Sequence, residues 1–355
     1  MNETTLSSAQ KIKSYQENAC QNGLPTDAYL QVTEQCNCRC AMCDIWKNPG
    51  GKSGEKETLV SIIQTLREKN FNWVTLWGGE PYLHPDIIPL MAEVKKCGMR
   101  LQLITNGTLL RNDKSGSKLD ATVELADNVV FSLDGATPEI HDAIRGIQGT
   151  FARTIRNLTA LLALKKKTGK GPEVEIDTTI LLQNIAEISA MIDFSKQFGD
   201  ILVDFDPAQI QGTGNSADQS IIEIPEAIVE QAFGQLITAK RMGANITSEE
   251  KLELMKDYLK KKPVHGACFS LFKDLLIAPD GKVYFCWGWD KVIGNILDTN
   301  FKEEWEGAIR QNLEAIDGKM GRCKSCGFSH VRWPDKDFLE LVTAINTQRK
   351  KYFMV

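Results

Sequence analysis

The chain has no apolar run approaching the ~18–20 residues that a bilayer-spanning helix requires. Its first twenty residues, MNETTLSSAQKIKSYQENAC, are polar and mixed in charge, without the apolar core of a signal peptide. No membrane partner is expected, and a cytoplasmic location is. Surplus positive charge is also missing: 42 basic against 46 acidic residues leave a net charge of −4. That balance excludes a general electrostatic footprint for nucleic acid. There are no internal repeats and no low-complexity tracts. With 42% hydrophobic and 25% charged residues over 355 positions, disorder, a collagen-like array and a disulfide-stapled mini-protein are excluded. Against these absences stand ten cysteines, five before residue 45 and four after residue 265. In a reducing cytoplasm, clustered thiols more often bind metal than pair as disulfides.

At ~100–200 residues per domain, the length fits two domains or one large α/β barrel with an appendage. Short apolar runs alternate with longer amphipathic ones from Ala28 to Pro207. Strands are predicted at 28–33, 73–77, 100–105, 128–134, 173–181 and 201–206, and helices at 59–69, 86–97 and 151–167. Six β-then-α units argue for a parallel sheet, either a barrel or an open doubly wound sheet; periodicity does not choose between them. The polar stretch 209–223 marks a boundary, and helical sequence follows over 225–262. Residues 271–289 read as a β-hairpin about Pro279-Asp280-Gly281. A short helix over 302–315 and a helical tail over 337–352 complete the prediction.

Directly after the first strand, TEQCNCRCAMCDIW places cysteines at 36, 38, 40 and 43. Four thiols within eight residues could bind Zn²⁺, an iron–sulfur cluster or a soft ion. A structural zinc site usually pairs two separate knuckles. Cys36, Cys40 and Cys43 instead put three thiolates on one loop at uneven spacing, and three ligands leave one iron of a [4Fe–4S] cube open to a small molecule.

This pattern resembles the radical SAM superfamily, whose signature is CX3CXΦC after the first barrel strand. The resemblance implies that Cys36, Cys40 and Cys43 hold a [4Fe–4S] cluster whose open iron chelates S-adenosylmethionine. One electron then cleaves that cofactor to methionine and a 5′-deoxyadenosyl radical, which abstracts hydrogen from a substrate. Met42 stands where the family usually has an aromatic residue, and its thioether can still pack on adenine. Gly78-Gly79-Glu80-Pro81, at the end of the second strand, resembles the family's GGEP motif, whose glycines let backbone approach the methionine amino group, with Glu80 placed to add a hydrogen bond. Thr105-Asn106-Gly107 and Ser132-Leu133-Asp134-Gly135 end the third and fourth strands. They resemble positions near the methionine carboxylate and ribose, with Ser132 and Asp134 as polar contacts. His141 and Arg145-Gly146 fit the same segment, Arg145 as a carboxylate partner. Each motif alone could be a plain turn; their order at successive strand ends distinguishes them, because parallel barrels place their sites there.

Cys268, Cys286, Cys323 and Cys326 form a second set. Four thiols with one CxxC knuckle fit a zinc site as well as a [4Fe–4S] cluster. Their pattern, with Gly294-Asn295-Ile296 before a tryptophan-containing helix, resembles the SPASM/twitch extension of radical SAM enzymes. Since no cysteine follows Cys326, the shortened twitch form is implied, with one auxiliary [4Fe–4S] cluster fully ligated and serving electron transfer or structure. The expected fold is α/β: a partial (β/α)6 TIM-type barrel with a small C-terminal α+β extension. Its divisions are an N-terminal extension (1–27), the barrel core (28–223), a connecting helical region (224–262), the cluster domain (263–330) and a helical tail (331–355).

The leftover thiols Cys20, Cys38 and Cys97 read as structural, with hydrogen-atom donation to a substrate radical as their functional alternative. Trp77, Tyr82, His84, Trp287 and Trp289 belong to core or to a cavity wall. Glu175, Asp177, Asp204 and Asp206 alternate along the last two strands, facing either cavity or solvent. The resemblance implies an oxidation or dehydrogenation of an unactivated C–H on a small-molecule or peptide substrate. An external one-electron reductant such as flavodoxin or ferredoxin is implied with it. A redox-neutral epimerase or dehydratase and a ribosomal-peptide modifier are the alternatives within the class, and a zinc-binding interaction protein the alternative outside it. With 27 residues before the first strand, too few for a peptide-binding winged helix, the reading leans towards a small molecule or a peptide recruited otherwise.

Overall fold

The computed structural model describes residues 27–48, 50–113, 116–209, 219–262, 267–268, 274–287, 289–311 and 332–333. Six parallel strands follow one another in chain order: β1 (Asp27–Thr33), β2 (Trp73–Gly78), β3 (Arg100–Thr105), β4 (Asn128–Ser132), β5 (Glu173–Ile180) and β6 (Leu202–Pro207). Their sequences alternate, and the alternation divides the two faces. On β5, Val174, Ile176, Thr178 and Ile180 are buried, while Glu175, Asp177 and Thr179 are half-buried on the other face. The buried set packs against an outer layer of helices: α1 (Lys56–Glu68), α2 (Ile87–Lys96), α3 (Lys118–Leu125), α4 (Pro138–Arg145), α5 (Thr150–Thr168) and α6 (Ala190–Ser195).

β1 is not paired with β6, so the barrel is partial. On the far side of β1 runs β7 (Asp274–Ile277), parallel to it in the register Tyr29↔Leu276. β8 (Lys282–Cys286) and β9 (Trp289–Asn295) then continue the sheet in antiparallel fashion. The expected hairpin forms about Gly281, which takes φ +85°. The C-terminal strands thus extend the barrel's own sheet, and the expected division near residue 263 is crossed by the β1–β7 pairing.

Two expectations change. The helical stretch 225–262 is two helices, α7 (Glu226–Arg241) and α8 (Glu249–Leu259). Gly243 at φ +94° ends the first, and the intervening residues cover the edge of β6. Val203 N–H donates to Asn245 O (3.0 Å) and Thr247 N–H to Val203 O (3.2 Å). An edge strand left bare would expose unpaired peptide groups. Helices α3, α4 and α6 were not legible, being short. α4 starts on Pro138 and ends on Gly146 at φ +68°. Its Asp142 caps the next helix, accepting from Gly149 N–H, Phe151 N–H and the Thr150 hydroxyl at 2.6–2.7 Å. The helix predicted from Lys302 is α9 (Phe301–Gln311). The tail helix over 337–352 lies outside the described residues, as do residues 1–26.

Candidate active site

The cysteine loop leaves β1 at its C-terminal end and is gripped from two sides by main chain. On one side, Gly79 N–H donates to Thr33 O and Glu80 N–H to Gln35 O, both at 2.8 Å. A Cβ on Gly78 would lie 2.1 Å from Thr33 O, and one on Gly79 2.2 Å from Gln35 O. These glycines therefore bring backbone against the cysteine loop itself. On the other side, the end of α4 accepts two bonds from the loop, Arg39 N–H to Arg145 O and Ala41 N–H to Ile144 O, both at 2.9 Å. A Cβ on Gly146 would meet Arg39 O at 2.3 Å. GGEP and the Arg145-Gly146 pair are the two jaws of one clamp.

Within the loop, Cys36 and Cys43 are half-buried, while Cys38 and Cys40 are 1% and 8% exposed. The Arg145 guanidinium lies 3.7 Å from Cys40 Sγ and, through Nε, 2.7 Å from Asp134 Oδ2. That contact with Asp134 is a charge pair rather than an aligned hydrogen bond. A hydrogen bond from Cys38 lowers the Cys40 thiol to about 6 against the opposing effect of burial, and Arg145 helps. Burial pushes Cys43 up to about 12. Cys38 is raised by its bonds to Cys36 and Cys40, so its proton stabilises its neighbours as thiolates.

Glu80, fully buried, ties the strand ends together. Its carboxylate accepts from Tyr82 N–H (3.1 Å), the Thr105 hydroxyl (2.8 Å) and Asn106 N–H (2.8 Å). Burial raises it to about 7. Asn106 in turn bonds Asn37 in the cysteine loop (2.9 Å), and Thr154 and Asn157 of α5 bind the carbonyls of Asn106 and Gly107, both at 2.7 Å. Asp134 accepts from Thr179 N–H (3.0 Å), and its own N–H donates to His141 Nδ1 (3.1 Å). Asn184 bonds the carbonyls of Asp134 and Thr179. The carboxylates of Glu80 and Asp134 are thus engaged within the protein, Met42 packs against the core, and Ser132 ends β4 half-buried on the same face as Asn128. Asn37, Asn184, Thr154 and Asn157 were missed by sequence reasoning; isolated polar residues carry no spacing signal.

Comparison with known proteins agrees with this arrangement. A model of the radical SAM superfamily matches residues 30–194, and one of the SPASM iron–sulfur cluster-binding domain matches residues 268–327. The chain belongs to the radical SAM superfamily. It is 25% identical over 316 residues to an AdoMet-dependent heme synthase of Methanosarcina barkeri, covering 85% of this chain and 88% of that protein. It is 21% identical over 318 residues to the PqqA peptide cyclase of Gluconobacter oxydans, covering 87% and 84%. Among solved structures, Streptococcus suis SuiB bound to its precursor peptide SuiA superimposes with a TM-score of 0.64 at 15% identity, over 91% of this chain and 74% of that one; this likeness shows the fold. The radical SAM enzyme uses S-adenosylmethionine and iron–sulfur clusters.

The thiols of this radical SAM enzyme fit a cluster. Cys36, Cys40 and Cys43 stand on one short loop, with Cys40 drawn towards the thiolate form that ligates iron by Cys38 and Arg145. A cube keeps its ligands apart, one to each iron.

The C-terminal extension contributes Trp287, directly after Cys286. Its ring lies 5.0 Å from those of both Trp77 and Tyr29. Tyr82 and His84 are framework residues instead: the Tyr82 hydroxyl meets Thr122, and His84 receives Asp86 N–H on Nδ1 and donates from Nε2 to Gly54 O (2.9 Å). Cys97 follows α2 at the N-terminal end of β3, the face opposite the cysteine loop; the antiparallel run of helix against strand puts it there and removes it as a donor at the site. In the second cysteine set, Cys286 ends β8, and Cys268 lies in a two-residue strand paired with Arg332–Trp333. Cys20, Cys323, Cys326 and the side chains of Cys268 and Trp289 fall outside the description.

Proposed function

We propose that this radical SAM enzyme oxidises an unactivated C–H bond of a small-molecule or peptide substrate held in the barrel lumen, with the auxiliary cluster as electron acceptor. The observation that carries this reading is the double-sided clamp on the cysteine loop at the C-terminal mouth of the barrel. It fixes Cys36, Cys40 and Cys43 over the inward-facing residues of β1–β6. When bound there, the cluster and S-adenosylmethionine supply the hydrogen-abstracting radical. The protein's own part is to hold three thiolates, with Arg145 offsetting the negative charge of Cys40, and to keep water from the mouth with buried Glu80, Asp134 and their partners. Cys268, Cys286, Cys323 and Cys326 are proposed as the ligands of the auxiliary cluster.

A peptide substrate gains support from relatives such as the PqqA peptide cyclase, a small molecule from the heme synthases. Among the described thiols, Cys97 lies on the wrong face and Cys38 is locked between cluster-ligand candidates, so a thiol-donating epimerase gains no support from them. Anaerobically reconstituted, dithionite-reduced protein is expected to convert S-adenosylmethionine to methionine and 5′-deoxyadenosine. Replacing Cys36, Cys40 or Cys43 by Ala is expected to abolish that conversion. Wild-type activity in any of the three variants would overturn the ligand assignment.

A further inference from the structure

Below the cysteine loop, the lumen carries negative charge on one wall and aromatic faces on the other. On β5 and β6 the pairs Asp177↔Asp204 and Thr179↔Asp206 stand in parallel register, and alternation turns Glu175, Asp177, Asp204 and Asp206 inward. Asp177 Oδ1 is buried without a hydrogen-bond partner. Asp204 accepts the Thr247 hydroxyl at 2.6 Å, and Glu175 accepts the Asn128 amide at 2.7 Å. Among the described residues neither Asp177 nor Asp204 forms an ion pair, and the nearby cation Arg145 is held by Asp134 and Cys40.

The opposite wall is Tyr29, Trp77 and Trp287. Alternation along β1 and β2 turns Tyr29 and Trp77 to the lumen side of the sheet, the side that carries the carboxylates of β5 and β6. Tyr29 is raised by burial, then by the charges of Asp274, Asp27, Glu175 and Asp206. Two further groups point to a missing ligand. The Thr75 hydroxyl, 0% exposed and level with Tyr29 in the sheet, has no partner; nor does Oδ1 of Asn128, 4% exposed.

A half-buried carboxylate with a buried, unpartnered oxygen and no ion-pair partner, as at Asp177, is costly, and the cost is offset when a cation enters with its own hydrogen-bond donors. Aromatic faces favour an organic cation over a hydrated metal ion, and the described carboxylates do not converge on a single-ion site. We propose that the lumen recognises an organic cation, a primary ammonium or guanidinium group of the substrate. It is received between Asp177 and Asp204 on one wall and Tyr29, Trp77 and Trp287 on the other. This names a substrate class for the proposed reaction and rests on that reading.

The test is calorimetric titration of the full-length, cluster-loaded protein saturated with S-adenosylmethionine. The probes are agmatine, putrescine, the neutral 1-pentanol, the anion glutarate and CaCl₂. Agmatine or putrescine is expected to bind at least ~10-fold tighter than pentanol or glutarate. Asp177→Asn and Asp204→Asn are each expected to weaken that binding roughly 10-fold or more, and Trp287→Phe, on a different element, by about 2–5-fold. Unchanged S-adenosylmethionine affinity shows that each variant is folded. Equal binding of pentanol or glutarate, cation affinity unmoved in both Asp variants, or displacement of agmatine by Ca²⁺ would overturn the proposal. Cofactor cleavage on the same sample separates the two claims. Cleavage without cation binding rejects the lumen site alone, whereas cation binding without cleavage rejects the radical chemistry alone.

Discussion

Glu80 shows how one side chain can tie the framework of a site together. Its two oxygens hold the ends of β2 and β3 in place, and burial raises it from 4.5 to about 7. A carboxyl that binds its proton more tightly when folded stabilises the native state fully below pH 4.5. That stability is lost as pH rises through 7, a change on the order of 3 kcal/mol. Buried His141, lowered to about 3, acts in the opposite sense: it stabilises above pH 6.5, and that contribution is lost as pH falls. The clean measurement is therefore a difference. Urea unfolding of wild type and Glu80→Gln at pH 5 and pH 8 should show wild type losing more stability than the variant at the higher pH. Parallel pH dependences would mean that Glu80 is ionised throughout. The GGEP motif was legible in the sequence, but the partners of its carboxylate were not, because Thr105 and Asn106 meet it only when β2 and β3 pair.

At the scale of elements, the glycines around the cysteine loop differ in what they do. Gly79 and Gly146 sit against the carbonyls of Gln35 and Arg39, whereas Gly98, at the opposite end of β3 and at positive φ (+73°) like Gly146 (+68°), has nothing within 4 Å. Gly79→Ala and Gly146→Ala are expected to cost on the order of 3 kcal/mol each and to displace the loop, with loss of the first cluster's iron on reconstitution. Gly98→Ala should cost only ~1 kcal/mol, with iron content unchanged. Equal iron loss in all three would assign the effect to backbone strain rather than to the clamp. Strand positions were read from the sequence to within a residue or two, since alternation is a local property. Helix α4 was not, although it forms half of the clamp. Eight residues with Pro138 at the start give little periodicity, and its role depends on a contact with Arg39 and Ala41 about a hundred positions away.

For the whole molecule, the consequential contact is β7 against β1. It joins the C-terminal extension to the barrel sheet and brings Trp287, next to Cys286, onto Tyr29 and Trp77. An auxiliary cluster near Cys286 would thereby stand beside the lumen. With two [4Fe–4S] clusters the loaded chain holds about eight irons, and Cys286→Ala should reduce this to about four. S-adenosylmethionine cleavage should persist in that variant while substrate oxidation is lost. Iron remaining near eight would remove Cys286 from the ligand set.

The sequence by itself determined the family, the fold class and the thiols of the first loop, because cysteine spacing and strand alternation are written in consecutive residues. Only the tertiary structure decided that GGEP and Arg145-Gly146 clamp that loop, that Glu80 and Asp134 are engaged by the framework, and that Cys97 faces away. It also decided that the carboxylates of β5 and β6 look across a lumen at aromatic rings. These are relations between strand ends and facing walls, set by register and sheet curvature, and no local pattern encodes them.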